Sequence, residues 1–226
     1  MRKIILLLLT IVLLVPAVSA QEPPKYVALT FDDGPSGRFT TALLDGLNQR
    51  DVDATFFLCG YRLETYGDLA QTIRSGGHEI GLHGFSHDPM SQMSASAICD
   101  ELERTKALLP DGCLVNLMRT PGGAQTDSVR QAAEEAGLAI VHWSVDPKDW
   151  ATRDASLIQQ RILDQVHDGD IILMHDMTDS SVQAALAVVD QLQAQGYQFL
   201  TVSQLAMLRL CHLESGQRYG SFAPRL

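Results

Sequence analysis

Seven times along the chain, a short apolar, β-branched run is followed by a stretch with helical periodicity. This alternation restricts the fold more than any other feature of the sequence. The runs fall at residues 26–31, 52–58, 78–82, 114–118, 138–143, 171–175 and 197–202. Helical patterns occupy 40–50, 64–75, 94–109, 127–136, 155–167 and 180–195, with 203–210 after the last run. The Gly-containing breaks "SGGHE", "EAGLA", "HDGDI" and "AQGYQ" stand where helices should stop. Strands separated by helices are expected to pair in parallel, since the helix is the crossover that parallel neighbours require. Periodicity alone allows either a closed barrel or an open doubly wound sheet. The polar residues favour the barrel. Asp32, Asp33, His83, His87, Arg119, Asp146, Asp149 and His175 lie at or just beyond the C-terminal ends of five different strands, and a barrel gathers those ends around one pocket. The expected fold is α/β, a parallel (β/α)7 barrel of the TIM-barrel kind in a single domain.

Residues 1–20, "MRKIILLLLTIVLLVPAVSA", begin with Arg2 and Lys3, continue apolar, and place Val18 and Ala20 before Gln21. That is the pattern of an export signal; a retained anchor is the alternative, and the small residues favour cleavage. The expected organisation is a signal over 1–20, the barrel over 21–210, and a weakly patterned tail over 211–226, surface-packed or partly mobile. Without the signal the chain keeps 15 Lys and Arg against 27 Asp and Glu, a formal charge of −12. Nucleic acid and anionic membrane surfaces are poor partners for such a chain. The expectation is a secreted or cell-envelope monomer with no membrane span after signal cleavage.

Asp32 and Asp33 stand side by side at the end of the first apolar run, in "YVALTFDDGPSG". Two adjacent carboxylates at the end of a buried strand repel each other unless something positive is bound there. Adjacent strand residues point in opposite directions, so one carboxylate can bind an ion while the other faces a bound water. "GLHGFSHDP" supplies His83 and His87, four apart. Two histidines and a carboxylate are a common ligand set for zinc or a similar divalent ion. The metalloprotease pattern H-E-x-x-H is absent. Arg119, in "MRTPGG", is the candidate cation for the second carboxylate. Glu64, Asp88 and Asp127 read as solvated or capping groups. His78, His142, His167 and His212 read as structural, and Trp143 as core.

"TFDDGP" at 30–35, "HGFSH" at 83–87, "RTPGG" at 119–123, "DPKDW" at 146–150 and "LMH" at 173–175 together resemble the five ordered motifs of the polysaccharide deacetylases with a NodB-type domain. The resemblance covers roughly residues 26–202 and implies that the barrel is a distorted one, a distorted parallel (β/α)7 barrel. It implies a metal-dependent hydrolase that removes acetyl groups from N-acetylated sugars of peptidoglycan or chitin type. The alternatives are an O-acetyl xylan esterase and a non-catalytic glycan-binding relative. Carried onto this chain, the resemblance implies Asp33, His83 and His87 as ligands of a divalent metal, Zn2+ first and Co2+ or another ion second. It implies Asp32 as general base oriented by Arg119, and His175 as general acid paired with Asp146. Pro121, Gly122, Trp150 and Leu173 would bind substrate, the last two around the acetyl methyl group. The chain departs from the family pattern at Gly84, where Ser or Thr is common, leaving Ser86 to brace the loop. It departs again at Gly122, where an aromatic residue is common.

The cysteines Cys59, Cys99, Cys113 and Cys211 form no C-x-x-C pair. In an exported chain an even number favours disulfides. Cys59 and Cys99 belong to adjacent units at the site face, so a bridge between them is expected to tether the His83–His87 loop. A second bridge would have to join Cys113 and Cys211 across the barrel bottom.

Overall fold

The computed structural model describes residues 23–224; the expected signal lies outside the described residues. Strands β1 (Lys25–Asp32), β2 (Thr55–Leu58), β3 (Glu79–Leu82), β4 (Leu117–Met118), β5 (Ala139–Val141), β6 (Ile171–His175), β7 (Tyr197–Phe199) and β8 (Arg218–Tyr219) alternate with helices. The helices are α1 (Arg38–Asn48), α2 (Gly60–Ser75), α3 (Ala95–Lys106), α4 (Asp127–Ala136), α5 (Ala155–Leu163), α6 (Asp179–Ala194) and α7 (Val202–Leu208). The strand order is β6-β1-β2-β3-β4-β5-β8, all parallel. The fold is the expected distorted α/β barrel.

Two features distort it. β1 is long enough to serve three neighbours: its first residues pair with β7, Lys25 opposite Tyr197, on the edge that β2 takes up further along, and its last five pair with β6 on the opposite edge, Ala28 opposite Ile171 through Asp32 opposite His175. Between β5 and β6 the ring is closed by a single bridge from Val145 to Ile172, with Leu173 N–H donating to the Val145 carbonyl at 2.9 Å. The segment expected as a tail supplies β8, which pairs with β5 and buries Phe222. Its two residues carry too little periodicity to be read as a strand, and main-chain bonds such as His142 N–H to Tyr219 O at 2.7 Å hold it.

Alternation along the strands builds two cores. Val27, Leu29 and Phe31 of β1 face the helical layer with Phe56, Leu43, Leu47 and Val188. Ala28 of the same strand faces the barrel interior with Phe57, Leu117, Val141 and Ile171. Burial of each large apolar side chain contributes about 1.5–3 kcal/mol. α7 sends Val202, Leu205 and Ala206 into the interior core, and the Val202 N–H donates to Thr55 Oγ1 at 3.0 Å. It therefore closes the N-terminal end of the barrel and leaves the other end open. Among the described residues, no helix is long and apolar enough to cross a membrane.

The expected disulfides are not formed: all four cysteines are free. The Cys59 thiol is buried under the loop after β3, its Sγ 3.9 Å from the His83 carbonyl. Cys99, on α3, faces α4 instead, its Sγ 3.8 Å from Ala132 O and 3.5 Å from Glu135 Oε2. Helix rotation, which residue spacing between units does not report, turns the two thiols toward different neighbours. Cys113 packs at the margin of the outer core and Cys211 at the margin of the inner one.

Candidate active site

The open end of the barrel holds a pocket of about 400 Å3 lined by Asp32, Asp33, His83, His87, Gly122, Trp143, Asp146, Trp150, Leu173 and His175. Of the residues expected to bind substrate, Gly122, Trp150 and Leu173 line it. Pro121 does not; it is buried at the start of the 3-10 turn Pro121–Gly123. Its ring begins that turn and packs inward, leaving Gly122, at φ 63°, to face the pocket. Trp150 stands 62% exposed at the rim.

Below the pocket lies Arg119, fully buried. Its guanidinium donates to Asp32 Oδ1 at 2.7 Å, Thr30 Oγ1 at 2.8 Å, Val141 O at 3.1 Å and His142 O at 2.9 Å. Its carbon centre sits 4.2 Å from the Phe57 ring centroid and 5.6 Å from that of Trp143. A planar, always-charged group with several fixed donors suits this enclosed position better than lysine would. One oxygen of Asp32 is thereby engaged, and the other, Oδ2, points toward the histidines, 3.8 Å from His83 Nε2.

Asp33 follows the strand in a left-handed conformation, and its carboxylate meets the same histidines. Its Oδ1 lies 3.3 Å from His83 Nε2 and 3.0 Å from His87 Nε2, and the three donor atoms fall within 4.8 Å of one another. His83 Nδ1 donates to the Arg119 carbonyl at 2.8 Å, which leaves the Nε2 lone pair directed at the cluster, as a metal ligand requires. Burial alone would raise the Asp33 pKa, but the two histidines outweigh it and hold the carboxyl far below the usual range. The hydrogen bond to Asp33 raises that of His87. Asp33 and His87 both have positive φ, 71° and 66°. For side chains other than glycine that conformation costs about 1–3 kcal/mol, and it persists only where the surroundings impose it. These residues are suited to hold a divalent ion.

The loop carrying His83 and His87 is braced by a residue for which the sequence offered no signal. Glu101 Oε2, from α3, accepts from Phe85 N–H at 2.8 Å, Ser86 N–H at 2.7 Å and Ser86 Oγ at 2.9 Å. Gly84 is required here: its φ is 78°, and a Cβ would lie 2.8 Å from the Met90 methyl. A hydroxyl-bearing residue at 84 would be strained, and Ser86 with Glu101 supplies the hold instead.

The expected pairing of His175 with Asp146 is corrected. His175 Nδ1 is 2.8 Å from Asp149 Oδ1, and its main-chain N–H donates to Asp149 Oδ2 at 2.9 Å. Lys148 adopts a left-handed conformation, φ 54°, which turns the chain so that Asp149 is fully buried beneath the imidazole. Asp146 instead accepts the Lys148 N–H at 2.8 Å and remains at the pocket wall. Burial would lower the His175 pKa, but the hydrogen bond and charge of Asp149 raise it to about 9. Trp143, expected as plain core, lines the pocket.

An Arg-clamped carboxylate, a three-donor cluster and a carboxylate-held imidazole thus share one pocket. The sequence profile of the polysaccharide deacetylases matches residues 19–141. The peptidoglycan-N-acetylglucosamine deacetylase PgdA of Listeria monocytogenes is 35% identical over 84% of this chain, and this chain spans 41% of that protein's length. A peptidoglycan-N-acetylglucosamine deacetylase of Bacillus cereus is 37% identical over 80% of this chain and 88% of its own length. Among solved structures, a family 4 acetyl xylan esterase from Clostridium thermocellum, in complex with a cobalt ion, superposes with a TM-score of 0.81. It is 29% identical, over 87% of this chain and 98% of that one. With a profile match over more than half its length and relatives of this identity, the chain belongs to the polysaccharide deacetylase family.

Proposed function

We propose that the protein is a metal-dependent N-deacetylase acting on N-acetylglucosamine residues of a cell-envelope polysaccharide, with Asp33, His83 and His87 holding a zinc or similar divalent ion. The carrying observation is the cluster of three donor atoms within 4.8 Å of one another, beside a second carboxylate that Arg119 keeps out of the ligand set. When bound, the ion would polarise the acetamide carbonyl and lower the pKa of a bound water from 15.7 toward about 7.

Asp32 is the proposed base. Arg119 occupies its Oδ1, and Oδ2 is free to take a proton from the attacking water. His175 is the proposed acid. With Nδ1 held by Asp149 and a pKa of about 9, it is protonated at neutral pH and presents Nε2–H to the departing amine, which must be protonated to leave. Trp150 and Leu173 form an apolar seat for the acetyl methyl group. The likeness to PgdA and to the Bacillus cereus enzyme supports peptidoglycan as substrate, and export through residues 1–20 would bring the protein to it.

The likeness to an acetyl xylan esterase favours a second reading, O-deacetylation, with the same residues in the same roles. A non-catalytic relative is disfavoured by the complete set of ionisable groups. The test is acetate release from N-acetylglucosamine oligomers, peptidoglycan and acetylated xylan, before and after chelation and with zinc or cobalt restored. Release from the first two, abolished by chelation, is expected. Release from xylan alone would establish the second reading, and binding without release would establish the non-catalytic one.

A further inference from the structure

Asp176, the residue after His175, has no part in the ligand set or in the acid and base, yet it is fully buried. It packs against the segment 33–37 that leaves the end of β1. Thr40 Oγ1, in the first turn of α1, accepts from the Ser36 N–H at 2.7 Å and donates to Asp176 Oδ2. The Ser36 hydroxyl donates to the Asp176 carbonyl. Side chain and main chain of Asp176 thus both fasten this segment to the end of β6. Gly34 lies directly on the carboxylate: a Cβ there would stand 2.7 Å from Asp176 Oδ1 and 2.9 Å from Oδ2. Only a glycine allows so close an approach. On its other side, Gly34 O accepts the Cys59 N–H at 3.0 Å.

The residue carried by this segment is Asp33, whose φ of 71° persists only where the surroundings impose it. Its two chain neighbours are both fixed. Asp32 is held in β1 by its register with His175, and Gly34 is held between Asp176 and Cys59. Asp176 gains little for itself by being an aspartate. Its Oδ1 has no hydrogen-bond partner among the described residues, and a buried acceptor without a donor is destabilising. What the carboxylate holds, rather than how it packs, accounts for its place.

We propose that Asp176 is a positioning residue for the metal centre. Acting through Thr40, Ser36 and Gly34, it keeps Asp33 in the left-handed conformation and so presets that carboxylate toward His83 and His87. Asp176 also follows His175 in the chain, so the same ties fix the ligand segment relative to the proposed acid. This rests on the assignment of Asp33 as a metal ligand and names the group that holds that ligand in place.

Zinc affinity of the full chain, measured by competition with a chromogenic chelator, is compared in Asp176→Ala, Thr40→Val and Asp176→Asn. Asp176→Ala removes the acceptor and opens space beside Gly34. Thr40→Val removes only the hydroxyl at nearly constant volume, and decides the matter if Asp176→Ala does not fold. Both should bind zinc about tenfold more weakly or worse, and Asp176→Asn, which keeps an oxygen for Thr40 and fills the space beside Gly34, should recover most of the loss. Amide exchange followed by NMR gives a readout that needs no metal. The Cys59 N–H, bonded to Gly34 O, should exchange faster in Asp176→Ala and Thr40→Val, while the His83 N–H, bonded to Leu58 O at 2.9 Å, keeps its wild-type rate. A role in global stability alone would accelerate both. Unchanged zinc affinity in folded Thr40→Val, or equal acceleration at Cys59 and His83, overturns the proposal. If the wild type binds neither zinc nor cobalt, the metal reading fails, and exchange alone judges whether Asp176 holds the segment: an unchanged rate at Cys59 rejects it.

Discussion

Asp32 and His175 are register partners on the adjacent parallel strands β1 and β6, and each is tied to a buried group of the opposite charge. Arg119 lies 2.7 Å from Asp32, and Asp149 lies 2.8 Å from His175. Strand pairing thus puts the proposed base and acid side by side, and each is fixed in place by its own buried partner. Asp149 also raises the His175 pKa to about 9, so the proposed acid carries its proton at neutral pH.

The first prediction separates ligand from base. Asp33→Ala, His83→Ala and His87→Ala should each bind substantially less zinc in metal analysis of purified protein. Asp32→Asn should keep its metal and lose about 10²–10⁴-fold in kcat, the range for removal of a general base. The opposite outcome, metal loss in Asp32→Asn with retention in Asp33→Ala, would exchange the two roles.

A second prediction concerns pH. His175 is raised from the ordinary 6.5 to about 9 by Asp149 against the pull of burial, so activity that needs its proton should persist through neutral pH and fall as pH passes about 9. In Asp149→Asn the alkaline limb of kcat should move down toward pH 6.5. The same shift makes a stability contribution. Because the folded pKa lies above the unfolded one, that contribution is fully present below about pH 6.5 and is lost as pH rises through about 9. Urea midpoints measured across this range should fall more for the wild type than for Asp149→Asn.

The third concerns Arg119. Arg119→Met should destabilise by about 3–5 kcal/mol in urea denaturation, because removal of one partner leaves Asp32 as an uncompensated buried charge. Arg119→Met combined with Asp32→Asn should recover part of that loss. Equal destabilisation in the single and double variants would mean that packing against Phe57 and Trp143, rather than charge, is what Arg119 supplies.

Glu101 provides the fourth. Glu101→Ala leaves three donors of the His83–His87 loop without their acceptor, so zinc affinity should fall about 10–100-fold, the usual effect of removing an outer partner of a metal ligand. Glu101→Gln, which retains an acceptor oxygen, should fall less. Competition with a chromogenic chelator measures both, and unchanged affinity in Glu101→Ala would remove the brace from the argument.

Much of this molecule is determined locally, and that part was legible. The seven β-branched runs and their intervening helical patterns imply a parallel sheet with helical crossovers, and the polar residues gathered at its strand ends favour closing that sheet into a barrel. The "FDDG" strand end and the His83–His87 spacing bring together groups that are near neighbours in the chain or lie at the ends of β1 and β3, separated in the sheet by β2 alone. Other features depend on where the chain goes after a strand ends. "DPKDW" contains two aspartates, and only the left-handed turn at Lys148 decides that Asp149 rather than Asp146 reaches His175. Cys59 and Cys99 belong to adjacent units, yet helix rotation sends one thiol under His83 and the other toward α4. Glu101 reaches the metal loop from a helix whose own periodicity marks it only as partly exposed, and β8 is held by main-chain bonds that its side chains do not advertise. Periodicity encodes which side of an element is buried; it does not encode which distant group that side meets, because that depends on backbone turns and helix rotations set by the packing of the whole barrel.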